Sequence, residues 1–344
     1  MKSGCYTAII TPFSGEQVDF EGLRRLIEFQ VAGGITGVLA VGTTGESPVL
    51  SWEEHNRVVE TTAVHAKGKC LCIAGAGSNN TKDAVHAARH AEKSGAEAVL
   101  LVDPYYNGPS SLEIRREYFE PVARAVPGIE VIPYVIPGRT GAQTLSEDLA
   151  ILYQNCKNAR TVKEATGNIE NMRRTRACCG SEYGILSGDD ALTFQMMSDP
   201  QIQASGVISV VSNVAPAAVS QMIRHLLNRE MVAAERMNKA LAPLFDLVTV
   251  KTTEQTPYGD VVCRARNPLA IKTLMAVLGM PSGGCRQPLG KMTVKGLETV
   301  LAAARIVQQV NPEIFAPVSE FFGVNIDERL GEPGYRQGLF YDHY

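Results

Sequence analysis

Eight short apolar runs, each followed by turn residues and a helix-like segment, constrain the fold of this 344-residue chain more than any other feature. The runs are rich in β-branched residues and recur every roughly 22–33 residues along the chain. Their continuous apolar character is typical of parallel strands that are buried on both faces. The predicted strands are residues 6–10, 37–41, 71–74, 98–102, 130–134, 161–163, 183–187 and 206–210.

Amphipathic segments between these runs predict helices at residues 19–32, 51–66, 81–94, 145–155 and 213–228. The first carries Leu23, Leu26 and Ile27 at helical spacing. The second opens on Ser51-Trp52-Glu53-Glu54, a capping-box pattern. Eight strand–helix units favour a closed ring over an open sheet, so we predict an α/β fold, a (β/α)₈ TIM barrel over residues 1–229.

The strand pattern stops after residue 229. Residues 231–247, 268–278 and 294–310 have helical periodicity and predict a C-terminal helical appendage spanning residues 230–310. The polar stretch 251–266 between the first two helices is interpreted as a loop. The tail, residues 311–344, is rich in Gly, Pro and aromatic residues, and its pattern predicts no particular element.

Composition narrows the function classes. With 33 Lys+Arg against 36 Asp+Glu and no long run of either sign, the chain lacks the dense basic surface of a nucleic-acid-binding protein. No apolar stretch approaches the roughly 20 residues that span a bilayer, and no leader pattern opens the chain, so we expect a cytoplasmic protein without a membrane partner. The eight cysteines show no CxxC spacing and are expected to be free thiols. The histidines lack metal-site spacing and no nucleotide-binding motif occurs, so neither metal nor cofactor is predicted.

The carboxyl ends of the predicted strands carry the candidate chemistry, because functional groups of this fold lie there. Lys163 ends the sixth strand, where desolvation favours the neutral amine that can attack a ketone and form an imine. The alternatives are an ion pair with Glu164 or a lysine reaching solvent at the rim. Tyr134 ends the neighbouring fifth strand, about 4.8 Å away, and its phenol can move protons during imine formation. Otherwise it is an interior aromatic residue.

Three further segments follow strands. Gly42-Thr43-Thr44-Gly45-Glu46 offers backbone N–H groups and two hydroxyls to a carboxylate, and Arg139 could hold a second carboxylate. An unliganded turn and a solvated loop arginine are the respective alternatives. Asp189 and Asp190 are interpreted mainly as helix caps. Gly206 leaves room either for a ligand or for close approach of two strands.

Six motifs in order, each after a predicted strand, resemble the dihydrodipicolinate synthase family of pyruvate-dependent class I aldolases. The resemblance covers residues 4–248 and resumes at residues 267–310. The motifs are Gly42-Thr43-Thr44-Gly45-Glu46-Ser47, Pro104-Tyr105-Tyr106-Asn107, Tyr134-Val135-Ile136-Pro137-Gly138-Arg139-Thr140, Lys163-Glu164-Ala165-Thr166-Gly167-Asn168, Ser187-Gly188-Asp189-Asp190 and Gly206-Val207-Ile208-Ser209.

The resemblance implies condensation of pyruvate with aspartate 4-semialdehyde on the way to diaminopimelate and lysine. It implies that Lys163 carries pyruvate as an imine and that Tyr134, Thr43 and Tyr106 relay protons, Tyr106 from across a dimer interface. It also implies that Thr44, Arg139 and the backbone near Ile208 contact the substrates. Gly206, for which a ligand was left open above, is the fourth candidate substrate-binding residue. A homo-oligomer, either a dimer or a tetramer built from two dimers, is implied in the same way.

The resemblance also has departures and a regulatory corollary. The family usually has Asn where this chain has Val135, and both the 251–266 stretch and the tail exceed the usual length. Family members that lysine inhibits bind it at a dimer interface, and Asp83 stands where Glu is commoner. The matching positions are Ser47, Trp52, His55, Asn79, Asp83 and Tyr105.

Two other functions remain open at this point. A pyruvate aldolase acting on another aldehyde, such as a sugar acid, would use the same imine. A barrel without enzymatic activity is the third hypothesis. The presence of the lysine, tyrosine, threonine and arginine together argues against it.

Overall fold

The computed structural model describes residues 1–344 and contains a closed barrel of eight parallel strands. Each strand is bonded to its neighbours in chain order, and the last pairs with the first, which confirms the predicted TIM barrel. The strands are β1 Gly4–Ala8, β2 Gly37–Ala40, β3 Leu71–Gly75, β4 Ala98–Val102, β5 Glu130–Val135, β6 Thr161–Glu164, β7 Gly184–Ser187 and β8 Gly206–Ser209.

Helices between the strands form the outer layer, with shorter helical turns interspersed. Several begin at side-chain caps: Ser51 makes the predicted capping box, and Asn80 accepts from the Lys82 backbone N–H. None of the helices combines the length and the apolar character required to cross a membrane. The main helices are α1 Phe20–Ala32, α2 Trp52–Ala66, α3 Thr81–Ser94, α4 Glu120–Ala125, α5 Ser146–Asn155, α6 Ile169–Cys179, α7 Thr193–Ser198 and α8 Pro216–Leu227.

Side chains fill the barrel interior, so the barrel is a packed core. In this fold the functional groups lie at the carboxyl ends of the strands. Tyr6, Leu39, Ile132, Leu186 and Ile208 are among the buried residues of this inner cluster. A second, larger apolar cluster lies between strands and helices, and it continues from Cys5 to Leu330. The barrel and the C-terminal helices therefore share one hydrophobic core.

The three predicted C-terminal helices are confirmed as α9 Met231–Phe245, α10 Leu269–Val277 and α11 Val294–Val310. The tail adds two short helices that the sequence analysis had not predicted, α12 Ala316–Phe322 and α13 Ile326–Gly331. Their buried residues, Val318, Ile326 and Leu330, join the large apolar cluster. Residues 316–331 are thus part of the folded core.

The interpretation of residues 251–266 as a loop is wrong. Strands β9 Thr249–Thr256 and β10 Gly259–Arg266 form an antiparallel hairpin closed by a turn at Pro257 and Tyr258. The strands were not predicted because β9 is mostly polar Thr, Lys, Glu and Gln, although Val261, Cys263 and Ala265 of β10 do share one face. Their β-branched residues flanking a Pro-Tyr-Gly turn were nevertheless a hairpin signal.

Candidate active site

Lys163 lies at the carboxyl end of β6 with only 5% of its surface exposed. Burial lowers the pKa of its amine to about 7, while the Asp190 carboxylate opposes the shift and Arg139 adds to it. The expected alternative, an ion pair with Glu164, is absent. The Glu164 carboxylate instead accepts from the Thr166 N–H at 2.7 Å and from Asn171 Nδ2 at 3.1 Å. A large fraction of Lys163 is therefore uncharged near neutral pH, as imine formation requires.

Tyr134 is the direct register partner of Lys163 on the adjacent strand. The Lys163 Nζ atom lies 4.2 Å from the centroid of the phenol ring. Burial raises the pKa of Tyr134 to about 12, although Arg139 and a hydrogen-bonding contribution from Thr43 act in the opposite direction. The phenol therefore keeps its proton and is placed to donate it to a group bound at Lys163.

The loop after β2 holds its two threonines through an unusual backbone. Val41 has a φ of 48°, a strained conformation for a β-branched residue, directly before Gly42. Gly75 on β3 makes room for it, since a Cβ there would lie 2.3 Å from the Val41 carbonyl oxygen. Thr44 is buried and its hydroxyl accepts from Asn267 Nδ2 at 2.9 Å. Asn267 is a neighbour that sequence reasoning did not identify.

A buried ion pair, also missed, anchors the end of the same loop. Glu46 Oε1 lies 2.6 Å from Lys272 Nζ of α10, and both side chains are almost fully buried. Glu46 Oε2 accepts from the Arg286 backbone N–H at 2.9 Å, and Lys272 Nζ donates to the Thr11 carbonyl at 3.0 Å. The pair therefore fixes the loop 42–46 to the C-terminal helical region.

Arg139 belongs to the short helix Pro137–Thr140, which directly follows β5. Its Nη2 donates to the Asn267 carbonyl oxygen at 3.1 Å. Arg266, at the end of the hairpin, donates from Nη1 to the Gly138 carbonyl at 3.2 Å. The hairpin and the arginine loop are therefore linked by hydrogen bonds above the barrel mouth.

A cavity of about 430 Å³ lies between the strand ends and the hairpin, and it brings together most of the predicted catalytic and substrate-binding residues. Thr43, Thr44, Tyr134, Arg139 and Lys163 all line it. The remaining lining residues are Ile136, Gly138, Ala165, Gly188, Asp189, Val210, Val248, Thr249, Lys251, Arg264, Arg266 and Asn267.

Gly188 also lines this cavity. The sequence analysis recognised its motif but did not predict its role. A Cβ atom there would lie 3.0 Å from Lys163 Cε and 2.9 Å from Ala165 Cβ. Any larger residue would therefore push against the aliphatic stem of the lysine. Its position directly after β7, in Ser187-Gly188-Asp189-Asp190, was the available signal.

The two aspartates that follow have different roles. Asp189 accepts from the Ala191 and Leu192 N–H groups at 3.0 and 3.3 Å, which stabilises the turn before α7. It is not the helix cap that was expected, because the N-cap of α7 is Leu192 and no side chain caps that helix. Asp190 is not a helix cap. Its buried carboxylate accepts from the Ser209 hydroxyl and, at 2.8 Å, from the Val210 N–H, joining the ends of β7 and β8. Burial raises the pKa of Asp190 to about 6.

Gly206 and Ile208 do not line this cavity. Gly206 is the first residue of β8 and pairs with Gly4, whose carbonyl oxygen would lie 1.9 Å from an added Cβ. Close strand approach thus explains this glycine without a ligand. Ile208 belongs to the barrel's inner cluster together with Tyr134.

A second cavity, of about 420 Å³, shares Thr43, Tyr134, Ile136 and Arg139 with the first. It contains four of the six predicted regulatory residues: Ser47, Trp52, His55 and Tyr105. Asn79 Oδ1 accepts from the Tyr105 N–H at 2.7 Å, and Asp83 lies in the first turn of α3. Burial lowers the pKa of His55, whose Nε2 lies 2.9 Å from the Gly75 carbonyl oxygen.

Tyr106 is not brought into the site of its own chain. Its side chain is 93% exposed, and its φ of 81° is rare for an aromatic residue. Tyr105 beside it is 38% exposed although it lines the second cavity. Tyr106 alone of the four predicted catalytic residues faces solvent in a single chain.

A family model described as the dihydrodipicolinate synthetase family matches residues 1–307. The chain belongs to that family. A TIM barrel with a buried lysine beside a buried phenol at the strand ends, in a chain of this family, defines a lyase of the class I aldolase type.

Individual relatives agree with this assignment. A protein named 4-hydroxy-tetrahydrodipicolinate synthase from Syntrophus aciditrophicus is 38% identical over 85% of this chain and 94% of its own length. The 4-hydroxy-tetrahydrodipicolinate synthase structure from Methylacidiphilum fumariolicum SolV superposes with a TM-score of 0.82, at 35% identity over 94% of this chain and all of that one. The Cyanidioschyzon merolae dihydrodipicolinate synthase, solved with lysine bound, gives a TM-score of 0.81 at 31% identity, covering 90% and 99% of the two chains.

Proposed function

We propose that Lys163 binds pyruvate as a Schiff base in the reaction that this chain catalyses, the condensation of pyruvate with aspartate 4-semialdehyde to 4-hydroxy-tetrahydrodipicolinate. The observation that carries the proposal is the buried amine with a pKa lowered to about 7, in register with Tyr134. The neutral amine attacks the ketone carbon of pyruvate, and loss of water from the carbinolamine gives the imine.

The subsequent steps need proton transfers but no cofactor. Removal of a proton from the methyl carbon converts the imine into an enamine, which forms a carbon–carbon bond with the aldehyde carbon of the semialdehyde. The aldehyde oxygen takes up a proton and becomes the hydroxyl of the product. The amino group of the semialdehyde then displaces the lysine nitrogen as the ring closes, which frees Lys163 for the next pyruvate.

We assign these proton transfers to Tyr134, Thr43 and Tyr106. The Lys163 amine lies 4.2 Å from the centroid of the Tyr134 ring, and Thr43 lines the same cavity and lowers the pKa of Tyr134. Thr44 and Arg139 are assigned to the carboxylates of pyruvate and of the semialdehyde, since an arginine can hold a carboxylate by two parallel hydrogen bonds. Ile208 is retained as a pyruvate neighbour through its backbone.

We propose a homodimer in which Tyr106 enters the partner's site, and a tetramer built from two such dimers as the assembly; the exposure of Tyr106 supports the proposal. Because this side chain is exposed in one chain, it can complete the relay only in the site of a partner subunit. Tyr105, Trp52 and Leu112 are further exposed large side chains in this part of the sequence, at 38%, 47% and 51%. Sedimentation of the wild type and of Leu112→Glu tests the contact, and a wild-type monomer with full activity would contradict it.

We also propose that lysine inhibits the enzyme by binding in the second cavity. This cavity shares four lining residues with the first, so occupancy can alter Tyr134 and Arg139 directly. The relative from Cyanidioschyzon merolae was solved with lysine bound. Turnover measured with and without millimolar lysine, in wild type and His55→Ala, tests this, and an unchanged wild-type rate ends the idea.

The compartment that we propose is the cytoplasm. All eight cysteines are free thiols, five of them with their pKa raised to about 11 or higher by burial. Free buried thiols are the usual state in a reducing compartment.

The decisive experiment compares aldehydes. Borohydride added with pyruvate should leave a permanent adduct on Lys163, and coupled turnover should favour aspartate 4-semialdehyde over sugar-acid aldehydes. Preference for a sugar-acid aldehyde would favour the related aldolase activity instead. Val135, the departure that kept this alternative open, packs with Val162 and Ile185 in the layer behind the strands, away from the barrel's inner cluster.

A further inference from the structure

The hairpin β9–β10 forms one wall of the active-site cavity. Its residues Thr249, Lys251, Arg264 and Arg266 all line the cavity that contains Lys163. They are two directly opposed pairs, Thr249 with Arg266 and Lys251 with Arg264, on alternate positions of the two strands. Alternate residues of a strand share a face, so one face of the hairpin base points into the cavity.

The opposite face of the hairpin is anchored to the start of α11. The Thr252 hydroxyl lies 3.3 Å from that of Thr293, and Glu254 lies 3.8 Å from Lys295 Nζ. The Lys295 ammonium also donates to the Thr253 carbonyl. These contacts hold the cavity-facing side chains above the barrel mouth.

The cavity-facing side of the hairpin carries positive charges that no ion pair neutralises. Lys251 and Arg264 are like charges directly across a ladder, an arrangement that destabilises a sheet. The chain's ion pairs include neither of them, nor Arg266. Asp189 is the one carboxylate among the lining residues, and its oxygen already accepts from two backbone N–H groups.

The substrates of the reaction do not account for this charge. Pyruvate brings one carboxylate, and aspartate 4-semialdehyde brings a carboxylate together with an ammonium group. Arg139 and the threonine loop suffice for the two carboxylates. The three hairpin cations are therefore an excess that an additional anionic group would neutralise.

We propose that Lys251, Arg264 and Arg266 form a subsite for a phosphate or carboxylate group at the mouth of the active-site cavity. The group belongs either to the far end of an aldehyde substrate or to a free anion that competes with the semialdehyde. The inference rests on the proposed function, because it assigns the end of the ligand that lies away from Lys163.

The test uses inorganic phosphate as the probe and two charge-matched double variants. Lys251→Gln/Arg264→Gln removes two exposed cations from the hairpin. The control Lys157→Gln/Arg160→Gln removes two exposed cations just before β6, at the opposite end of the barrel. Neither pair contributes to the core, and the hairpin variant relieves a like-charge contact, so both should fold.

Phosphate is expected to inhibit the wild type in competition with aspartate 4-semialdehyde. Its inhibition constant should rise about tenfold in the hairpin variant, as expected for the loss of two charge-assisted contacts, and stay unchanged in the control. Absence of inhibition in the wild type, or equal constants in all three proteins, overturns the subsite.

A second arm identifies the source of the anionic group. Glyceraldehyde 3-phosphate and glyceraldehyde differ only by the phosphate. Turnover of the phosphorylated aldehyde at lower KM than the plain one, with the advantage lost in the hairpin variant, assigns the subsite to a substrate. Inhibition without turnover assigns it to a free anion.

Borohydride trapping separates the two proposals. A wild type that gains no pyruvate adduct contradicts the proposed function. A wild type that gains the adduct but shows no phosphate effect contradicts the subsite alone.

Discussion

The active-site cavity has two walls of opposite character. On the strand side, Lys163, Tyr134 and Thr44 are buried, and neighbouring strands or hydrogen bonds fix them. On the hairpin side, Lys251 and Arg264 are exposed and have no ion-pair partner. The strand wall has the burial that shifts pKa values, whereas the hairpin wall has charge that stays screened by water. Chemistry is therefore expected from the first wall and ligand selection from the second.

The largest effect expected from this contrast is that of Lys163→Ala. Loss of the amine should lower kcat by roughly 10⁴-fold or more and abolish the borohydride-trapped pyruvate adduct, which mass spectrometry detects. Circular dichroism should match that of the wild type, since the truncation removes a buried polar group without breaking an ion pair. Residual adduct formation would show that another amine carries the pyruvate.

Tyr134→Phe should be the next largest effect. Loss of the proton-donating hydroxyl should lower kcat by roughly 10²- to 10³-fold with little change in fold. Tyr183→Phe is the matched control, because that buried hydroxyl has no hydrogen-bond partner and lines neither cavity. Equal losses in both variants would mean that packing, not proton transfer, is responsible.

Arg139→Ala removes the guanidinium group that lies where the strand wall and the hairpin wall of the cavity meet. Removing a charged carboxylate partner worth about 2 kcal/mol should raise KM for aspartate 4-semialdehyde about 30-fold, with a smaller change in KM for pyruvate. Arg160→Ala, at the far end of the barrel, serves as the control. A rise confined to pyruvate would place the arginine on the other substrate.

The pH dependence sharpens the contrast further. Because the neutral amine reacts, kcat/KM for pyruvate should rise with pH and level off above the Lys163 pKa of about 7. The Asp190 carboxylate raises that pKa, so Asp190→Asn should move the rise to lower pH. Asp189→Asn removes the same charge one residue away and should leave the midpoint in place. Identical shifts in both variants would rule out a specific effect of Asp190.

The smallest expected effect is the change in stability caused by a substitution at the tip of the hairpin. Tyr258 is 99% exposed, so Tyr258→Ser should change the free energy of unfolding by less than about 0.5 kcal/mol. Ile132→Ala, in the barrel interior, should cost about 2–5 kcal/mol. Urea denaturation of both variants measures the difference. A large loss at Tyr258 would show that the tip is buried against another subunit.

The strand wall was predictable from sequence because it depends on local pattern and on strand adjacency. Once β5 and β6 are recognised, Tyr134 and Lys163 must lie side by side. The hairpin was not predicted because β9 is mostly polar and shows little apolar periodicity. Asn267 and Lys272 were beyond reach for a different reason, since each contacts a loop residue more than 220 positions away.

The ion pair between Glu46 and Lys272 has a consequence during synthesis of the chain. When the ribosome has delivered the eight strands, the lysine that neutralises Glu46 is still untranslated, and a carboxylate enclosed without its counter-charge is strongly unfavourable. The threonine turn therefore cannot settle until α10 emerges and docks. A nascent or truncated chain would therefore lack the anchor of this turn, and the arrival of one late helix would supply it.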